Sequence, residues 1–296
     1  MSFELTAKEK LRVAIASLLG VTLDPIGHGD LTTISIWSTL YFIQLPFVLY
    51  MLWKRNHPLI KIRGAGLFTL LYITGVLFFV GDFTTNEMVH PTSKLLRNCV
   101  FTTVWLRSIC GQMSAYGLLT LYTIGVYFRN RRGMTFQGIA KWTFILVIAG
   151  INVSIGVIVS LMPETRTIKF IGGMEICDLN PQFKNAVIGL SWTGLAGLLI
   201  SAVVVNLMVV CKNGEAKEIS LACLALVAAI VFHTVVWYQR PKYPARLAWR
   251  VAVVSVDQLA WFTAWWAVMG RSLYVCAFRG DAWVDEYNRK IDDDDK

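Results

Sequence analysis

Charge is what this sequence has least of. Only 16% of its 296 residues are charged, against 55% hydrophobic, where a soluble domain carries about 25% charged residues. With a mean hydropathy of +0.55, that shortage excludes a soluble globular enzyme and a disordered chain. Proline is scarce too, at 8 residues, and the long apolar runs hold almost none. The broken helices of an inverted-repeat transporter are therefore not indicated. There are 4 histidines, and His233 alone lies well inside an apolar run, which excludes a bis-histidine haem. No lysine lies inside such a run, so a retinal Schiff base has no anchor. HExxH, GxSxG and Walker patterns are absent, and no two cysteines have CxxC spacing. The chain is expected to be a non-enzyme without cofactor, metal or catalytic residue.

What is present suits a bilayer. Eleven Trp, 10 Tyr and 16 Phe suit aromatic belts at membrane–water interfaces. The net charge of +9 is read as membrane orientation and attraction to anionic lipid headgroups, not nucleic-acid binding. A crossing helix needs about 20 mostly apolar residues. Seven runs qualify by their flanking charges: Asp30 to Lys54, Arg63 to Asp82, Arg97 to Arg129 with Arg107 inside, Lys141 to Glu164, Lys184 to Lys212, Glu218 to Arg240, and Arg250 to Arg271 with Asp257 inside. The expected fold is an all-α membrane protein, a seven-transmembrane helix bundle over residues 31–271. Residues 1–30 form an extracellular segment, 272–291 a cytosolic tail, and 292–296 an acidic run that reads as a tag remnant or a native end. Val13–Leu23 is too short to span and reads as an interfacial helix. Four Lys/Arg in each of the Lys54–Arg63 and Arg129–Lys141 loops place those loops in the cytosol, hence the N-terminus outside.

That orientation puts Cys99 and Cys177 on the oxidising side, where a disulfide between them is expected. Two unpaired outward thiols are the alternative. Cys110, Cys211, Cys223 and Cys276 fall within spans or on the reducing side.

Charges deep in a membrane usually face the bundle interior. Arg107 lies about 13 Å and Asp257 about 16 Å from the outer ends of their spans at 1.5 Å per residue. An Arg107–Asp257 pair is expected, either as a brace between helices or as a group that a ligand displaces. At helical spacing Arg107 shares a face with Gly111, Ser114 and Ala115, and Asp257 with Arg250, Trp261, Ala264 and Trp265. Gln258 and His233 join them as candidate pocket residues. Asn152 and Asn206 are read either as pocket residues or as helix-to-helix hydrogen bonds.

Several stretches carry a resemblance. Trp53-Lys54-Arg55-Asn56-His57-Pro58-Leu59-Ile60-Lys61-Ile62-Arg63, Leu106-Arg107-Ser108-Ile109-Cys110-Gly111-Gln112, Met174-Glu175-Ile176-Cys177 and Phe278-Arg279-Gly280-Asp281-Ala282-Trp283 are similar to the seven-transmembrane portion of fungal hybrid proteins. Those hybrids join a receptor-like bundle to a regulator-of-G-protein-signalling domain, and plants have a similar one. The resemblance spans about Ile34 to Trp283. It implies a multi-pass plasma-membrane receptor that senses an extracellular small molecule and signals through a heterotrimeric G protein α subunit. Arg129, Arg131 and Arg132 would lie on the G-protein-facing loop, and membrane lipid is the other expected partner. Two departures stand out: the sequence ends before a regulator domain, and the rhodopsin-type motifs after the third and in the seventh span are missing. A transporter or channel using Arg107 and Asp257, and a ligand-free membrane scaffold, are the rival readings.

Overall fold

Within hydrocarbon every backbone N–H and C=O must find its partner inside the protein, and a helix does this within one segment. The computed structural model is accordingly helical. It describes residues 7–18, 22–89, 93, 95–96, 98–132, 139–162, 169–171, 174–176, 181–208, 214–238 and 246–279. In chain order these form α1 (Ala7–Leu18), α2 (His28–Trp53), α3 (Pro58–Arg63), α4 (Ala65–Thr85), a π-helix π1 (Val100–Met113), α5 (Ser114–Arg132), α6 (Ile139–Leu161), strands β1 (Lys169–Ile171) and β2 (Met174–Ile176), α7 (Pro181–Met208), α8 (Glu215–Tyr238) and α9 (Leu247–Phe278). The two strands pair antiparallel, Phe170 opposite Glu175. Six helical stretches are long and apolar enough to cross a membrane: His28–Trp53, Ala65–Thr85, Lys141–Leu161, Asn185–Met208, Glu215–Val236 and Leu247–Phe278. They make this a multi-pass membrane protein.

The third run behaves differently. π1 passes straight into α5 through Ser114, whose backbone is right-handed helical (φ −63°, ψ −37°). Hydroxyl side chains follow the wider winding: Ser108 Oγ donates to the Thr103 carbonyl at 2.9 Å and Ser114 Oγ to the Ile109 carbonyl at 2.8 Å, each five residues back. Long π stretches are uncommon and concentrate at functional sites. Here the winding lets π1 lie against α4 at two glycines. A Cβ on Gly81 would stand 2.6 Å from the Arg107 backbone nitrogen, and one on Gly111 2.7 Å from Phe78 Cβ.

The first and last crossing helices extend past residues 31 and 271. α2 already starts at His28, with the Gly27 N–H donating to Asp30 Oδ2 at 3.2 Å, and α9 continues past Arg271 to Phe278. A charge was taken to end a span, whereas Asp30 is a helical residue whose charge is neutralised by a partner. α1 starts earlier than Val13 and stops at Leu18, and at 12 residues it is too short to span. α2 and α9 begin together at the Asp30 end of the bundle. α4 and α8 begin, and α5 ends, at the opposite Arg63 end. The main core runs between them through Phe68, Leu71, Tyr122, Leu195, Leu198, Trp261, Trp265 and Met269. By contrast α6 leaves Trp142, Leu146, Ile151 and Leu161 exposed, the apolar surface a lipid-facing helix presents.

Candidate functional site

Arg107 is carried by π1 into the centre of a buried polar cluster. Its Nη2 lies 2.6 Å from Asp82 Oδ1 and 2.9 Å from Asp257 Oδ2. The side chains of Asp82, Arg107 and Asp257 are 0, 4 and 6% exposed. His233 of α8 completes it, with Nδ1 3.1 Å from both Arg107 Nη2 and Asp257 Oδ2. One ring nitrogen facing a donor and an acceptor is a chemical choice: protonated, Nδ1 donates to Asp257; deprotonated, it accepts from Arg107.

The carboxylate of Asp82 is further held by neutral dipoles. Asn86 Nδ2 donates to Oδ1 at 2.8 Å and Gln258 Nε2 to Oδ2 at 3.0 Å. The Gln258 amide oxygen in turn faces the Tyr41 hydroxyl at 2.9 Å, which also reaches the Gly75 carbonyl at 3.0 Å. The cluster thus ties α2, α4, π1, α8 and α9 together. Two carboxylates meet one guanidinium, so with both acids ionised and His233 neutral the cluster carries one excess negative charge. Such an arrangement holds one packing of the helices, and it can exchange a partner for an incoming ion, polar ligand or proton.

The expected Arg107–Asp257 contact is in place, and Gln258 and His233 lie in the same cluster. Asn152 does not: its Nδ2 is buried on α6 with no hydrogen-bond partner among the described residues. Asn206 sits far from the cluster and links α7 to α8, donating to Ser220 Oγ at 3.2 Å. Cys99 is absent from the free thiols Cys110, Cys223 and Cys276, and Cys177 lies outside the described residues.

Nothing in the sequence pattern singles out Asn86 or Tyr41, and a count of uncharged runs makes Asp82 the charge that ends the second run. Carrying that run on to Glu87 would have placed Asp82 inside it, one deep acid to match one deep base.

Two further ion-pair sets sit at the ends of the bundle. At the Asp30 end, Arg250 Nε and Nη2 grip both oxygens of Asp30 at 2.8 and 2.9 Å, and Nη1 donates to the Asp24 carbonyl at 3.1 Å. Such fork-to-fork geometry is the strong form of this contact. At the Arg63 end, Arg63 Nη1 pairs with Glu218 and reaches the Val268 carbonyl. Arg129 Nη1 donates to the Ile62 carbonyl at 3.0 Å and Nη2 to Glu215 Oε1 at 2.5 Å. Arg129 is therefore engaged within the bundle, whereas Arg131 is exposed and the Arg132 side chain lies outside the described residues.

No protein-family model matches the chain, and no curated protein matches it either.

Proposed function

We propose that this chain is a seven-helix, receptor-like membrane protein that passes an extracellular signal to a heterotrimeric G protein α subunit. The run π1–α5 supplies the seventh crossing in this reading. The N-terminus and the β1–β2 hairpin lie outside, and the Arg63 end faces the cytosol, where the Lys/Arg-rich loops belong. A Cys99–Cys177 disulfide would fix the hairpin loop to the outer end of π1.

The observation that carries the reading is that one helix joins two polar devices. α8 places His233 against Arg107 and Asp257, and it places Glu215 and Glu218 against Arg129 and Arg63. Those sites are separated by about 22 to 27 Å along the helix at 1.5 Å per residue. A polar ligand entering between π1, α7, α8 and α9 would compete for Arg107 or Asp257. Any resulting shift of α8 acts on the ion pairs at the far end. A ligand biases such an equilibrium only by its difference in affinity for the two packings.

The test is nucleotide exchange on a panel of Gα subunits in membranes containing the intact chain. Exchange should rise with the chain and fall in Arg131→Ala, which removes an exposed charge without touching the Arg129–Glu215 pair. The triple variant Arg129→Ala/Arg131→Ala/Arg132→Ala extends the comparison, at matched surface amounts. A folded, surface-located protein without effect on any Gα would sink the reading. Ion or solute flux in liposomes would then favour a path through the Arg107 cluster, and its absence a scaffold.

A further inference from the structure

Beside the ion pairs of the Arg63 end lies a cavity of about 170 Å³ that they do not fill. Lys61, Arg129 and Lys141 line it with charge, Leu67, Leu121 and Val126 with apolar groups, and Gly64 and Gly125 without a side chain. Gly125 is open in a direct sense: a Cβ placed there would meet no atom within 4 Å. A Cβ on Gly64 would lie 3.7 Å from the Lys141 ammonium, which marks how that ammonium leans over the cavity.

The charges around the cavity do not balance. Arg63 and Arg129 are neutralised by Glu218 and Glu215. Among the described residues no carboxylate lies within ion-pair distance of Lys61 or Lys141, which both line the cavity, so two positive charges remain there. The position is that of a membrane surface: Ala65 and Lys141 are the first residues of two membrane-crossing stretches. Trp142, next to Lys141, and Trp53, at the end of α2, are both exposed, the latter under the Lys54 ammonium at 4.7 Å. Tryptophan belts sit at headgroup depth. A cavity lined by two uncompensated cations and by apolar groups matches one class of molecule, in which a dianionic headgroup is joined to an acyl chain.

We propose that this cavity, formed between the α3–α4 turn, α5 and the start of α6, binds an anionic phospholipid whose headgroup carries a phosphomonoester. The phosphomonoester bears about 1.5 to 2 negative charges at neutral pH, which Lys61 and Lys141 match, and an acyl chain runs past Leu67. The site needs only that this end of the bundle lies at a membrane surface. It stands apart from coupling to Gα, and its test uses no G protein.

The full chain is reconstituted in phosphatidylcholine nanodiscs, with phosphatidylinositol 4-phosphate added in steps. Bound lipid is read by native mass spectrometry and the unfolding midpoint by Trp fluorescence. One phosphoinositide should be retained per chain and should raise the midpoint. Lys61→Gln/Lys141→Gln should weaken retention about thirtyfold, at the usual worth of two lysines at a charged membrane surface. Gly125→Phe should block retention while leaving every charge in place. Lys54→Gln/Arg55→Gln removes equal charge from the same end but outside the cavity and should retain the lipid. Folding of each variant is checked by its midpoint in phosphatidylcholine alone. The proposal is overturned if the Lys54/Arg55 control loses as much as the cavity pair, since that is surface charge only. It is overturned equally if Gly125→Phe, folded, still retains the lipid. Water-soluble inositol bisphosphate or inorganic phosphate protecting the protein as well as the lipid does would assign the site to a free anion instead.

Discussion

Arg107 serves two carboxylates at once, and that makes it the residue on which the cluster's stability turns. Removing one partner from a buried ionic set leaves uncompensated charge and costs about 3–5 kcal/mol, whereas replacing the whole set with neutral groups of similar volume is often tolerated. Arg107→Met leaves Asp82 and Asp257 buried without their shared cation. We expect a loss of about 3–5 kcal/mol, seen as a lowered unfolding midpoint in detergent. Adding Asp82→Asn and Asp257→Asn should recover most of it. If the triple variant is no more stable than Arg107→Met, the cluster is not held by the charge balance described. The lesson at this scale concerns Asp82 and Asp30. An isolated acid is costly in hydrocarbon, so along the chain both look like span boundaries. Each has a guanidinium in reach on another helix, Arg107 on the next one and Arg250 some 220 residues away. Pairing across helices is long-range information, and a count along the chain does not carry it. Arg107 and Asp257 were found because each stood alone in the middle of an apolar run.

At the scale of elements, the apolar helices were legible and π1 was not. Length and composition fix a crossing helix well, and the six stretches follow the apolar runs closely. In π1 the face expected from α-helical spacing, Arg107 with Gly111, Ser114 and Ala115, loses its premise because the winding is wider. Gly111 instead lets the helix approach Phe78 of α4. The α4–π1 contact makes a separable prediction. Gly81→Ala places a methyl group 2.6 Å from the Arg107 backbone nitrogen. Backbone has little room to yield, so overpacking should cost about 1–3 kcal/mol and should loosen the Asp82–Arg107 contact. Gly66→Ala, in the first turn of the same helix with nothing within 4 Å of its Cβ, should instead be close to neutral, since the glycine penalty of about 0.5–1 kcal/mol belongs to helix interiors. Thermal unfolding of both in one detergent decides it. Equal midpoints would show that α4 and π1 are not packed as closely as described.

Across the whole molecule, the polar groups lie in three tiers joined by apolar packing. Arg250–Asp30 closes one end, the Arg107 cluster occupies the interior, and Arg63 and Arg129 close the other end against α8. The end tiers differ in how easily they open. Arg250 and Asp30 are fully buried and bidentate, while the Arg129 side chain is 24% exposed, so water already offers it an alternative to Glu215. The Arg63 end is therefore the tier that opens first. Under the proposed function, opening it frees the first turn of α8 from α3 and α5, the movement a cytosolic partner would sense. Glu215→Gln/Glu218→Gln removes both acids of that tier and leaves the Arg107 cluster untouched. Each 1.4 kcal/mol of bias shifts a two-state equilibrium tenfold; the Arg129–Glu215 pair, open to water on its arginine side, is worth about 1 kcal/mol, whereas Arg63–Glu218, with side chains 4 and 12% exposed, is a buried pair whose loss costs more. Ligand-free Gα exchange should therefore rise by about tenfold or more, with a clear drop in unfolding midpoint from the buried, uncompensated Arg63. A double variant that melts lower yet exchanges like the parent would mean that these pairs hold the fold together and do not gate it.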